Sequence, residues 1–188
     1  MAIKIFLDQG HNPRSVNAGA EANGLREQDV TYTVGVLLRD LLLESGNYEV
    51  RLSRNAPDEI LGTSNATSLA ARTTAANAWG ADWFISIHAN ASSIPTASGS
   101  EGYVYARGSR AFPLAERIIE GISESTSFPA RGVYVRPTLY VLRRTRMPAT
   151  LIEIGFLTNE AEAYLMATDP SAYAAGMFTG IQRFFGFA

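Results

Sequence analysis

The sequence predicts a single α/β domain of three layers, a twisted, mostly parallel sheet of about six strands between helices on both faces. Two observations carry this reading. Several short runs rich in β-branched and aromatic residues are apolar almost throughout, the pattern of strands covered on both sides. They alternate with stretches whose apolar residues recur at helical spacing. At 188 residues and 46% hydrophobic content the chain can bury one sizeable core. Prolines and glycines are scattered, and no linker, repeat or low-complexity tract marks a boundary, so residues 1–188 are expected to form one unit.

Strands are expected at Ile3–Asp8, Tyr48–Ser53, Trp83–His88, Glu101–Ala106, Leu139–Leu142 and Thr150–Ile154. Between the first two, Val30, Val34, Leu37, Leu38, Leu41 and Leu42 fall on one helical face that Gly46 ends, and Glu27 lies near the start. A second helix is expected over about Leu69–Trp79 with Gly80 as its stop, and a third from near Ser109, turning Leu114, Ile118 and Ile122 inward. After the last strand, Thr158-Asn159-Glu160 offers caps and acids for a short helix. Asp169-Pro170 opens the final one, whose Tyr173, Met177 and Ile181 dock it on the sheet.

Charge and composition exclude several classes. A net charge of −2 and a pI near 5.7 lack the basic footprint of a nucleic-acid binder. No apolar stretch approaches the roughly 20 residues of a membrane span, so no membrane insertion is expected. The start Met1–Asp8 is too short for a signal peptide and reads as a strand. Without cysteine the chain has no disulfide or thiolate metal site, so any zinc must use histidine and carboxylate. Oligomeric state is not legible, and a monomer is the expectation.

Only two histidines exist, and both stand where an expected strand runs out: His11 after Leu7-Asp8-Gln9-Gly10 and His88 after Ile85-Ser86-Ile87. If those strands are neighbours in a parallel sheet, both imidazoles reach one edge, where ligands gather in such folds. A catalytic zinc commonly takes two histidines and one carboxylate and keeps a position open. Glu27, at the head of the helix after the His11 loop, is the candidate carboxylate. Asp8 is its rival, read instead as a partner that orients an imidazole, and Glu21 is a weaker one. Glu153 sits inside an apolar strand, where a charge is costly unless paired, metal-bound or used. It is the candidate acid/base, against pairing with Arg143, Arg144 or Arg146.

With these residues the sequence resembles the zinc-dependent N-acetylmuramoyl-L-alanine amidases of the type-3 cell-wall amidase group, over nearly the whole chain. That family has a strand ending Asp-Pro-Gly-His, an early helical Glu, a Ser-x-His-x-Asn segment and a Glu-x-Gly-Phe-x-x-Asn segment. Here they correspond to Asp8–His11, Glu27, Ser86–Asn90 and Glu153–Asn159. Secondary matches are Asn17-Ala18-Gly19-Ala20, Arg72 with Asn77, and Arg131-Gly132-Val133. Two departures are Gln9 in place of the usual proline and Asn12-Pro13 in place of the usual glycine pair.

The resemblance implies Zn2+ held by His11, Glu27 and His88, with Glu153 as the catalytic carboxylate. It implies hydrolysis of the amide between N-acetylmuramic acid and the L-alanine of the stem peptide, with peptidoglycan, glycan strand and stem peptide together, as partner. The place of action would be the bacterial cell wall, reached by secretion with a signal removed or by release from the cytoplasm on lysis. Alternatives are a wall-binding module of the same fold without catalysis, and a zinc amidohydrolase acting on another small acylated amino acid. Arg131, Arg136, Arg143, Arg144 and Arg146 either hold substrate carboxylates, steer the chain to an anionic wall, or form a solvated face.

Overall fold

A computed structural model describes residues 2–187. In chain order the elements are strands β1 (Ile3–Gln9), β2 (Glu21–Ala22) and β3 (Leu25–Arg26), helix α1 (Glu27–Glu44), β4 (Tyr48–Leu52), α2 (Asn65–Trp79), β5 (Trp83–Asn90), β6 (Ser100–Val104), α3 (Ala111–Thr126), β7 (Ala130–Val135), α4 (Tyr140–Arg144), β8 (Ala149–Phe156), α5 (Glu160–Thr168) and α6 (Pro170–Phe185). The main sheet has the order β4-β1-β5-β8-β6-β7, and β2 with β3 forms a separate small ribbon. β4, β1, β5 and β8 run parallel, whereas β6 pairs antiparallel with β8 and parallel with β7.

Successive residues of β1 serve opposite layers, as strand geometry requires. Ile5 and Leu7 face the core built with Val34, Leu38, Ile118 and Tyr173, while Phe6 joins Phe84, Ala76, Val141 and Leu151 on the other side. One face therefore carries α1, α3 and α6, and the other carries α2 and the short α4. The expected burial of Val30, Val34, Leu38 and Leu42 holds, as does that of Tyr173, Met177 and Ile181. Helix α2 starts at Asn65, earlier than its apolar residues suggest. Ser64 caps it by accepting from the Thr67 N–H, and Gly80 ends it in the left-handed conformation.

One expectation is corrected. Leu139–Leu142 is not a strand: Tyr140–Arg144 is helical, and Val141 and Leu142 pack down onto the face built by Phe84 and Leu151. A run this short fits either state by pattern alone. The sixth strand of the sheet is instead Ala130–Val135, an exposed edge without hydrophobic alternation.

Helices α3 and α6 approach closely because glycine faces glycine. A Cβ on Gly180 would stand 2.2 Å from the Arg117 carbonyl oxygen, and one on Gly121 would stand 2.2 Å from that of Gly176. Gly180→Ala should force the helices apart and destabilise the domain by about 2 kcal/mol, read as a lower urea midpoint. An unchanged midpoint would show that the pair has slack.

Candidate metal centre

The centre begins with strand adjacency. β1 and β5 are parallel neighbours with Gln9 level with Ile87, so both chains reach the same sheet edge together. The Gly10 N–H donates to the Ile87 carbonyl at 2.9 Å. A Cβ at Gly10 would lie 2.6 Å from the His88 ring, so only glycine lets the end of β1 pass beside that imidazole. Glu27, the first residue of α1 and buried, reaches between the histidines. Its Oε2 lies 3.2 Å from His11 Nε2 and its Oε1 lies 3.0 Å from His88 Nδ1. The two rings meet edge to face at 4.9 Å between centroids.

Hydrogen bonds orient each donor. His11 Nδ1 lies 3.2 Å from the Asn17 carbonyl oxygen, which can only accept; a hydrogen on Nδ1 leaves the Nε2 lone pair available to an ion between the ring and Glu27. The Glu27 oxygens also accept from the Ala20 and Ala89 N–H groups at 3.0 and 3.1 Å. Burial alone would raise the Glu27 carboxyl, but the His11 and His88 imidazoles beside it outweigh that and hold it well below the ordinary carboxylate range. One donor atom from each of His11, Glu27 and His88 lies within 4.8 Å of the other two. Bonds of about 2.0 Å to a tetrahedral ion put neighbouring donors about 3.3 Å apart, close to the imidazole–carboxylate separations found. Two imidazoles and a carboxylate suit a divalent ion such as zinc and leave a position open for water or substrate.

The loop that carries His11 is strained and braced. His11 has φ +67°, the left-handed region that side chains with a Cβ rarely occupy. Arg72, buried on α2, holds it there: one guanidinium nitrogen donates to the His11 carbonyl at 2.6 Å, and the other donates to Asp8 at 2.7 Å and to the Gln9 carbonyl. Both departures from the family pattern are structural supports. Gln9 bonds Ser53 and the Arg54 backbone at the end of β4. Asn12 donates to the Val16 and Leu61 carbonyls and accepts from the Leu61 N–H. Asp8 does not orient an imidazole as expected. It takes Arg72 and the Ser86 hydroxyl at 2.7 Å each, and Arg72 overcomes the effect of burial to keep its pKa low. The Asn17 carbonyl orients His11 instead.

Glu153 stands level with His88 on one neighbouring strand and with Glu101 on the other. Paired residues point to the same face, so the three side chains form a row across the sheet. The register between β5 and β8 shifts just beyond this point, a bulge of the kind that re-aims side chains at sites. Glu153 Oε2 is buried and has no hydrogen-bond partner, and no arginine pairs with the carboxylate among the described residues. Burial first, then the charges of Glu27 and Glu101, raise its carboxyl well above the ordinary value. Glu101 is engaged elsewhere, accepting from Arg131 Nε at 2.6 Å and from the Tyr103 hydroxyl. Beside the histidines opens a cavity of about 150 Å³, walled by His11, His88, Arg72, Leu139, Tyr140 and Leu151 among others.

Residues 5–183 match the sequence family described as N-acetylmuramoyl-L-alanine amidase. The chain belongs to that family. The amidase is 38% identical to the N-acetylmuramoyl-L-alanine amidase CwlM of Bacillus licheniformis over 97% of this chain and 69% of that protein. It is 33% identical to the sporulation-specific N-acetylmuramoyl-L-alanine amidase of Bacillus subtilis (strain 168), over 97% of this chain and 68% of that one. Among solved structures, the CwlD amidase from Clostridioides difficile, in complex with the GerS lipoprotein, superposes with a TM-score of 0.88 at 26% identity. The match covers 99% of this chain and 100% of that one.

Sequence reasoning brought His11, Glu27, His88 and Glu153 together, and the amidase fold places all four at one sheet edge. It missed the roles of Arg72, Asn12 and Glu101. Ser68, Arg72 and Ala76, spaced by four on α2, form a buried face, and an arginine on such a face was the available signal. Removing the guanidinium leaves Asp8 buried and unpaired. Arg72→Gln should cost about 3 kcal/mol or more near neutral pH by urea unfolding. Because the folded pKa of Asp8 lies below its unfolded value of 3.8, this stabilisation is complete above that value and is lost as pH falls through the folded one. The gap between variant and parent should therefore shrink on acidification. A gap independent of pH would contradict the assignment.

Proposed function

We propose that this chain is the catalytic domain of a zinc-dependent N-acetylmuramoyl-L-alanine amidase that cleaves the amide between N-acetylmuramic acid and the L-alanine of the stem peptide in peptidoglycan. The observation that carries the reading is the meeting of His11, Glu27 and His88 around a shared point with the unpartnered carboxylate of Glu153 in the next strand. The names of the relatives supply the bond and the polymer.

In this reading His11 Nε2, His88 Nδ1 and one Glu27 oxygen hold the ion. When bound, it supplies Lewis acidity, polarising the scissile carbonyl and making a water acidic enough to attack near neutral pH. The rest falls to the protein. The Asn17 carbonyl and Arg72 fix the His11 ring and its backbone, so the donors wait in place without reorganisation. Glu153 accepts the proton of the attacking water and delivers it to the departing alanine nitrogen. A carboxyl whose pKa is lifted by burial and two neighbouring acids is a stronger base than a free one, which suits it to take the proton of the attacking water. A binding-only descendant would have no use for that carboxylate. The chain would act at the cell wall.

The bond assignment is tested on purified wall. Digestion should free alanine amino termini without new reducing sugar ends; reducing ends alone would overturn it. The division of roles is tested by metal analysis. Glu153→Gln should keep one zinc per chain and lose hydrolysis by at least about a hundredfold, whereas His88→Ala should lose both. Equal metal loss in the two variants would contradict it.

A further inference from the structure

The open sheet face beyond Glu153 carries a feature that metal chemistry does not use. From Glu153 the face continues over β6 and β7, where Tyr103 and Tyr134 are level with each other and their rings lie 6.3 Å apart. Above both sits the guanidinium of Arg136, 5.3 Å from the Tyr103 ring centre and 5.7 Å from that of Tyr134. The backbone beneath it is fixed: the Arg136 N–H donates to the Val104 carbonyl at 2.8 Å, and its own carbonyl accepts from the Leu139 N–H at 3.2 Å. The segment then runs directly into Leu139 and Tyr140, which wall the cavity beside the histidines.

Charge and stacking on two rings set this arginine apart from Arg131, its neighbour on β7. Arg131 is neutralised by Glu101, whereas Arg136 joins no ion pair among the described residues. The guanidinium makes one hydrogen bond among those residues, from one nitrogen to the Val135 carbonyl at 3.2 Å. An arginine stacked on aromatic faces loses little freedom on binding and keeps its N–H edge for a carboxylate. Strand spacing and rise put it about 10 Å from the Glu153 position along the face, the reach of roughly three extended residues.

We propose that Arg136, braced on Tyr103 and Tyr134, is a specificity-determining residue that recognises a free carboxylate on the substrate's peptide, about two to three residues from the scissile amide. This rests on the amidase reading above, since the scissile bond must lie at the metal centre for the spacing to apply. The ligand class is an acidic peptide, and its carboxamide counterpart is the natural competitor, because it has the same shape without the charge.

The experiment uses zinc-loaded full chain and synthetic N-acyl-L-alanyl peptides that bear either a carboxylate or a carboxamide at the second or third residue. Hydrolysis should favour the carboxylate peptide about tenfold in kcat/KM, with the difference in KM. Arg136→Gln should bring that ratio close to one, Arg136→Lys should restore part of it, and Arg117→Gln on α3 should leave it intact. Binding of the same peptides to Glu153→Gln, read by calorimetry without turnover, should show the same preference and the same loss when Arg136→Gln is added. Equal hydrolysis of both peptides by the parent, or a preference untouched by Arg136→Gln, would overturn the inference and leave the amidase reading standing. No hydrolysis of either peptide alongside an Arg136-dependent binding preference would overturn the amidase reading and leave the recognition of carboxylate standing.

Discussion

Parallel pairing of β1, β5 and β8 in one register is the constraint on which the rest depends. It brings the ends of chain segments some 70 residues apart to a common edge, where His88 lies level with Glu153 and Gly10 leaves room for the imidazole. The first residue of α1 then closes the arrangement, because Glu27 is carried to that edge by the crossover helix from β1 to β4. Without that register the two imidazoles and the carboxylate would have no shared point, and no side-chain chemistry could compensate.

Holding the point open costs the protein local strain and buried charge. His11 adopts a left-handed backbone, and Asp8 and Arg72 are buried together within a network that has no access to water. A buried ion pair of this kind adds little net stability over an apolar pair, yet losing either half is severe. Its value here is positional. The guanidinium reaches the Gln9 and His11 carbonyls as well as Asp8, so a single side chain on α2 sets the path of the loop that carries a donor. Gln9 and Asn12, which depart from the family pattern, add further ties from that loop to β4 and to the segment before α2. The loop is thus rebuilt with different side chains around an unchanged donor.

Much of this was legible in the sequence, and the exceptions have physical reasons. Strands covered on both faces betray themselves as apolar runs, so β1, β5 and β8 were readable, and β4 was readable from the alternation of Tyr48, Val50 and Leu52 with Glu49 and Arg51. β7 was not, because an exposed edge strand carrying Arg131, Gly132 and Tyr134 has neither alternation nor apolar bulk. Leu139–Leu142 misled because four apolar residues satisfy a strand and one turn of helix equally. Glu153 stood out because a lone acid in an apolar strand is expensive. Arg72 did not, because its partner Asp8 lies 64 positions away and the pairing exists only once α2 packs across β1. Glu101 was hidden for the same reason, its place beside Glu153 being a product of antiparallel register.

The central claim is that His11, Glu27 and His88 bind one divalent ion together. The most direct measurement is a crystal of the zinc-loaded chain examined by anomalous scattering at the zinc edge. One peak is predicted, about 2.0 to 2.2 Å from His11 Nε2, His88 Nδ1 and a Glu27 oxygen, with a water or substrate atom in the remaining position. A peak elsewhere, or one bonded to fewer than all three side chains, would contradict the account.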